Sequence, residues 1–333
     1  MPSKTSFCNG TEFRKCLSRW WPLWVIYGVI LFIMLPGVLL NARSTIPYVS
    51  TEQISYLSNV ILSETQMLLP LTAFCAGLLA AAAMFGYLYT PRGAGLAASL
   101  PIRRGCMFRT HLLAGLVMLL SAEAVIFGLA VLIEATRFGL VIEPLLIWLG
   151  ILALETVVFY GIAVLCAMFT ALVAVCSQIA VPMPWGVPIN LALFAVYMAG
   201  TMLGPVWGTA SQVVFIALAA IGVPVLANFQ GGPSAIFGKT GGYAIGYILT
   251  ALLTALLTKA LGRKFWSLCV AMVVGCAACY VLGTIWFMIL TGADLVKALG
   301  WCVLPYLPGD AVKIVLAAVL TMQLDKRLKR SLV

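Results

Sequence analysis

Asp310 and Lys313 are the residues whose types and spacing best suit chemistry. They occur in Leu304-Pro-Tyr-Leu-Pro-Gly-Asp-Ala-Val-Lys313, at the head of a run that is otherwise apolar to Leu320. Spaced i, i+3, their side chains share one face of a helix, and Pro308-Gly309 reads as the turn that starts it. Ionisable groups in a membrane span face the protein interior or a water-filled cavity and mark a binding site by default. The plainer reading is an interfacial ion pair, which contributes little.

The elements that must position such a pair are membrane helices. Sixty-three per cent of the 333 residues are hydrophobic and nine per cent charged, mean hydropathy is +1.10, and apolar runs of about twenty residues recur. At about twenty residues per span there is room for roughly ten helices. The expected fold is therefore all-α, a polytopic membrane protein with about ten transmembrane helices in a lipid bilayer. No segment between the runs is long enough for a soluble domain, so any catalytic or motor domain is expected on a separate chain, and an enzyme is not expected. The net charge of +10 sits at the ends of apolar runs rather than in a patch interleaved with aromatics, which argues against nucleic acid and for orientation in the bilayer. Ten cysteines show no disulfide framework. Cys276-Ala-Ala-Cys279 has redox or metal spacing, but its setting is apolar and lacks a second ligand pair, so it reads as small packing residues. That His111 is the single histidine argues against a histidine-rich metal site, and no metal or cofactor is expected.

Residues 20–40 form the first expected span, preceded by Arg14, Lys15 and Arg19 and opened by the interfacial cluster Trp20, Trp21 and Trp24. No small-residue cleavage pattern follows, so the span reads as retained, with the N-terminus in the cytoplasm. Residues 67–89 return, and residues 90–109 carry Arg92, Arg103, Arg104 and Arg109 on the cytoplasmic side. Spans at 110–133 and 144–165 contain Glu123 and Glu155, each either lining a path or hydrogen-bonded within the bundle. Phe13-Arg-Lys-Cys-Leu-Ser-Arg-Trp-Trp-Pro-Leu-Trp24 and Tyr87-Leu-Tyr-Thr-Pro-Arg-Gly-Ala-Gly-Leu-Ala-Ala-Ser-Leu-Pro-Ile-Arg-Arg104 resemble the opening half of six-span, exporter-like ABC-transporter permeases. That resemblance covers about residues 11–165. It implies that the loop around Arg103 and Arg104 meets an ATPase, although the last two spans of the permease pattern are missing.

From Pro144 to Pro182 the only charge is Glu155. One straight helix over that stretch would extend about 58 Å, twice the hydrocarbon thickness. Two spans are therefore expected to meet in a tight hairpin at residues 161–169, with Gly161 as the place to turn. The second half then divides into runs at 165–181, 191–203, 210–226, 241–257, 265–290 and 310–322. On this ten-span count fifteen of the twenty basic residues lie on the cytoplasmic side, the asymmetry expected of a correct topology, with both termini cytoplasmic. Merging the fourth and fifth spans would reverse the bias of the second half.

Asp310 and Lys313 then share the outer side with the glycine-rich segment 226–243. Gly231, Gly232, Gly241 and Gly242 suit a loop that folds into the bundle and offers N–H groups to a ligand, or a re-entrant turn that only connects two spans. Gly238-Lys239-Thr240 suggests a phosphate loop, but Pro233 stands where the first glycine belongs, and the strand and soluble helix are missing. Ala163-x-x-x-Ala167-x-x-x-Ala171 places small residues on one helix face, for close approach of another helix, and Gly200-x-x-x-Gly204-x-x-x-Gly208 reads as internal packing.

Four motifs in order, Ala174-Val-Cys-Ser-Gln-Ile-Ala-Val-Pro-Met-Pro-Trp-Gly-Val-Pro-Ile-Asn190, Gly222-Val-Pro-Val-Leu-Ala-Asn-Phe-Gln-Gly-Gly232, Gly238-Lys-Thr-Gly-Gly-Tyr-Ala-Ile-Gly246 and the Leu304–Lys313 stretch, resemble BioY, the biotin-specific substrate-binding (S) subunits of energy-coupling-factor (ECF) importers of the bacterial plasma membrane. The resemblance covers about residues 164–333. It implies domains at 1–163, permease-like with four helices, and 164–333, a six-helix S-component bundle binding biotin near the outer surface under a capping loop. It also implies an ECF transmembrane coupling subunit and ABC ATPases as partners, with Ala163, Ala167 and Ala171 as the docking face. Biotin's ureido ring donates to carboxylates and its valerate carboxylate pairs with ammonium groups, so Asp310 and Lys313 suit its two ends, in either assignment. By the same resemblance Asn228, Gly231, Gly232, Thr240, Gly241, Gly242 and Tyr243 complete the pocket. Lys239, where the family usually has proline, and Ala192, near a position often held by glutamine, depart from the pattern. The alternative function is that of an ABC exporter permease subunit, carried by the N-terminal half.

Overall fold

Long apolar runs with few helix breakers give helices, and helices dominate the computed structural model, which describes residues 8–42, 51–89, 104–137 and 142–331 and the single positions 93, 95, 99 and 102. Among the described residues eight helices are long and apolar enough to cross a membrane. Contacts divide the chain into two compact units, residues 1–86 with 98–164, and residues 87–97 with 165–333.

In the first unit α1 (Gly10–Met34) starts at Asn9, whose side-chain oxygen accepts the N–H groups of Thr11 at 3.0 Å and Glu12 at 3.2 Å, two of the donors a helix start leaves unmet. It kinks at Trp20, ahead of Pro22, and is followed by α2 (Pro36–Ala42), α3 (Thr51–Phe85) and α4 (Arg104–Arg137). Of the loop expected to meet an ATPase, Arg92 and Arg103 lie outside the described residues, while Arg104 opens α4.

α5 (Ile142–Gln178) is one unbroken helix of 37 residues, so the hairpin expected at residues 161–169 is not formed. Nothing there breaks a helix. Gly161 is the single glycine of that stretch, no proline accompanies it, and an isolated glycine costs a helix only about 1 kcal/mol; a side chain at its position would meet open space.

The chain reverses instead within α6 (Ala192–Ala220), at Gly204-Pro205. Gly204 has φ +79° and ψ −175°, a conformation that side-chain-bearing residues avoid, and Pro205 cannot continue the hydrogen-bond ladder. A Cβ on Gly208 would lie 2.8 Å from the Ala199 carbonyl oxygen and 3.0 Å from Gly200 Cα. In a straight helix residues 200 and 208 are about 12 Å apart. The glycine row read as simple packing is thus the hinge of a helical hairpin, and its two limbs match the expected runs 191–203 and 210–226.

The rest of the second unit comprises a two-stranded ribbon, β1 (Ala180–Val181) with β2 (Ile189–Asn190), the short α7 (Pro233–Ile236), α8 (Gly241–Leu261), α9 (Phe265–Thr291), α10 (Leu295–Cys302) and α11 (Leu307–Ser331). α8 packs extensively on α6 and α9, and α11 on α6 and α9. Buried hydroxyls join the helices. Thr170 Oγ1 donates to the Ser211 carbonyl at 2.9 Å, Thr250 Oγ1 to the Gly275 carbonyl at 3.0 Å, and Thr201 and Thr321 hydroxyls are 3.1 Å apart. Such bonds matter where lipid supplies no hydrophobic drive for association, and contribute about 0.6–2 kcal/mol each. Arg263 donates to both Asp325 and the Thr201 carbonyl, gathering the hinge, the α8–α9 turn and the end of α11 at one end of the bundle.

The hinge predicts a selective response. Gly208→Val forces a side chain against Ala199 and lowers stability by about 1–3 kcal/mol, read as a fall in unfolding midpoint in detergent. Gly150→Ala, in open space, leaves stability unchanged or raises it by up to about 1 kcal/mol, so the midpoint does not fall. Equal responses would refute the hairpin.

Candidate functional site

The ion pair read from the sequence is formed and buried. Residues 303–306 turn into α11, whose first turn contains Pro308, where a missing N–H costs nothing, and Asp310, where a carboxylate is favoured by the helix dipole. Lys313 Nζ donates to Asp310 Oδ1 at 2.6 Å, with Asp310 3% and Lys313 7% exposed. The hydroxyl of Tyr280, on α9, donates to Asp310 Oδ2, and Cys276 Sγ lies 3.8 Å from the same oxygen. Both carboxylate oxygens are therefore engaged, which is the condition for keeping a charge out of water.

The pair lies in the wall of a cavity of about 90 Å³, several times the roughly 10–15 Å³ one water requires. The lining mixes aromatic and apolar groups, among them Val187, Leu193, Leu226, Tyr247 and Tyr306, with a few polar ones, Asn190, Asn228 and Gln230. That composition is typical of small-molecule sites.

Two connecting segments cover the cavity, each tied by one side chain. In the 182–191 segment Trp185 Nε1 donates to the Tyr306 hydroxyl at 3.1 Å, and that hydroxyl donates to the Val187 carbonyl. Burial pushes the Tyr306 phenol up to about 12, against the opposing effect of the Trp185 bond, so it stays a neutral donor at physiological pH. In the 221–240 segment Gln178, at the end of α5, donates to the carbonyls of Leu226 at 3.0 Å and Pro224 at 3.4 Å and accepts the Phe229 N–H at 2.9 Å. This clamp holds Asn228 and Phe229 both at φ +57°, a conformation asparagine tolerates and phenylalanine avoids.

Of the residues expected in the pocket, Asn228, Thr240, Tyr243, Asp310 and Lys313 line the cavity, and Gly231, Gly232, Gly241 and Gly242 do not. The glycines permit close packing of the backbone around it. A Cβ would lie 2.5 Å from the Val223 carbonyl oxygen at Gly231, 1.6 Å from that of Ile236 at Gly241, and 2.3 Å from Trp286 Cβ at Gly242. Two of their N–H groups are already used: Gly232 donates to the Ala219 carbonyl at 2.7 Å and Gly241 to that of Gly238 at 3.1 Å. Ala163, Ala167 and Ala171, the expected docking face, are buried. Cys279 lines the cavity and Cys276 meets Asp310, which corrects their reading as packing residues alone. Sequence reasoning missed Tyr280, Tyr306 and Gln178. Tyr306 had a signal, lying four residues before Asp310 in the same motif; Tyr280 had only its hydroxyl within an apolar run.

The BioY family model matches residues 155–330, more than half of the chain and all of the cavity lining. The chain belongs to the BioY family. Among curated members, the biotin transporter BioY of Thermotoga maritima is 34% identical over 159 residues, covering 48% of this chain and 92% of its own length. That of Rhodobacter capsulatus is 33% identical over 167 residues, covering 46% and 88%. The 2.1 Å crystal structure of the S-component for biotin from an ECF-type ABC transporter is 30% identical, covers 50% of this chain and 91% of its own, and superposes with a TM-score of 0.47. The BioY match and the unit beginning at Leu165 overlap over most of their length.

Tyr306→Phe removes both bonds that hold the 182–191 segment. At about 1 kcal/mol each, amide exchange at residues 186–190 is expected to accelerate roughly tenfold or more, measured by hydrogen–deuterium exchange, with residues 243–258 of α8 unchanged. Exchange at 186–190 equal to wild type would show that Tyr306 does not hold the segment.

Proposed function

We propose that this chain is the biotin-binding subunit of an ECF-type vitamin importer, capturing biotin from outside for uptake driven by separate partners, a transmembrane coupling subunit and ABC ATPases. The observation that carries the reading is the buried Asp310–Lys313 pair in the wall of an aromatic-lined cavity inside the BioY-matched region. One of three ammonium donors of Lys313 is used by Asp310, leaving two for a ligand oxygen, and the carboxylate keeps further lone pairs for N–H donors. Those are the groups biotin offers, and the tyrosines around the cavity suit its bicyclic body. The chemistry is binding rather than catalysis. The permease reading of residues 11–165 is not favoured, because the family match lies in the other half and contains the cavity.

Charges within the second unit support an orientation. Lys259, Arg263, Lys264, Lys326 and Arg327 gather at the end where Arg263 meets Asp325, opposite the cavity end with Lys239 and Lys297. By the positive-inside rule this distribution supports a cytoplasmic C-terminus and a cavity open to the outside of a cell membrane.

Radiolabelled biotin binding to the purified full chain tests this. Asp310→Asn and Lys313→Met are each expected to weaken binding by roughly 2–5 kcal/mol, about 30-fold to several-thousand-fold, because each leaves its partner's charge unpaired. Saturable binding unchanged in both variants would sink the assignment.

A further inference from the structure

One end of the second unit carries positive charge that the described residues do not neutralise. Arg263, between α8 and α9, donates to Asp325 on α11 and to the Thr201 carbonyl beside the α6 hinge. Asp325 is the single acid in residues 198–212, 255–268 and 320–333, so that bond uses the whole negative charge of these three segments. Lys259, Lys264, Lys326 and Arg327 are exposed, and no ion pair among the described residues includes them. Lys264 follows Arg263 in the chain and Lys326 follows Asp325, so the one bonded pair brings cations from two separate elements to the same place. Like charges gathered in this way repel one another, and an anion from outside the chain relieves that repulsion.

The neighbouring side chains narrow what that anion can be. Trp266, Leu261, Leu320 and Leu324 are exposed, near the ends of helices long and apolar enough to cross a membrane. Leu320, Leu324 and Arg327, spaced i, i+4, i+7, share one face of α11, so an exposed apolar strip ends in a cation. A soluble polyanion gains nothing from these apolar groups, and inorganic phosphate leaves them bare. A phospholipid matches both features, with its acyl chains along the strip and its head at the cations, and only an anionic head brings net negative charge. α9 begins at Lys264 with no side-chain cap, and the positive end of its dipole adds to the same field.

We propose that this end of the bundle binds an anionic phospholipid, whose phosphate bridges Lys264 and Lys326 as a second tie beside the Arg263–Asp325 bond. Lys259 and Arg327 extend the positive field, as basic clusters at the end of a membrane helix do for anionic lipid. The site lies opposite the cavity end and does not depend on what the cavity binds.

The full chain, purified in detergent with excess phosphatidylcholine, is titrated with radiolabelled phosphatidylglycerol. Saturable retention is expected, weakened about tenfold or more in Lys264→Gln/Lys326→Gln and kept in Lys264→Arg/Lys326→Arg. Lys239→Gln/Lys297→Gln, which removes the same charge from the cavity end, is expected to leave retention unchanged, and soluble glycerol 3-phosphate is expected not to compete. Retention no better than that of phosphatidylcholine overturns the proposal and leaves this face to an acidic partner protein. Wild-type retention by Lys264→Gln/Lys326→Gln, or equal weakening by the two glutamine pairs, overturns it too. So does competition by glycerol 3-phosphate, which makes the site one for soluble phosphate. If the unfolding midpoint of Lys264→Gln/Lys326→Gln in phosphatidylcholine falls along with its lipid retention, the lysines are scaffold and the proposal is likewise overturned.

Discussion

The second unit depends on keeping one positive and one negative charge together out of water. Two ions placed in a medium of low dielectric lose several kcal/mol of hydration each, on the order of what their attraction returns, so the pair is tolerable only with short contacts and few unmet lone pairs. Asp310 and Lys313 meet this at 2.6 Å, with Tyr280 on the second carboxylate oxygen. That requirement brings α9 against the start of α11 and sets the rotation of both helices. It also explains the covering segments: Trp185 and Tyr306 on one side and Gln178 on the other hold chain over the cavity without placing another charge in it.

The rest of the bundle is held by close approach rather than by burial of oil in water. Helices in lipid gain little from hiding apolar side chains, so contact area and interhelical hydrogen bonds decide. The hinge at Gly204, the backbone contact across Gly200 and Gly208, and the threonine bonds to carbonyls on neighbouring helices follow that logic. So do the glycines near the cavity. Gly241 and Gly242 let α8 start under Ile236 and against Trp286, which delivers Thr240 and Tyr243 to the cavity wall. They shape the site without touching its interior.

The two units treat buried acids in contrasting ways. Asp310 has a lysine one helical turn away and a tyrosine from another helix, whereas Glu123 has two hydroxyls on one oxygen and nothing on the other. The first arrangement can hold a charge, because both carboxylate oxygens are engaged and a lysine stands beside them, whereas the second has no counter-ion among the described residues.

Composition and period alone determined that this is an all-helical membrane protein, where most of its apolar runs lie, and that Asp310 and Lys313 share a helix face, because these follow from hydropathy and from 3.6-residue spacing within a few turns. Motif order alone pointed to the family of the second half. Only the tertiary structure decided that residues 142–178 continue as one helix while residue 204 turns, since a glycine turns a helix only where a neighbouring proline and close packing favour the break. Only it joined Tyr280 to Asp310 across 30 residues and Tyr306 to Val187 across 119. Such partners leave no local pattern; they are chosen when helices distant in sequence pack and a buried polar atom must find the one donor or acceptor within reach.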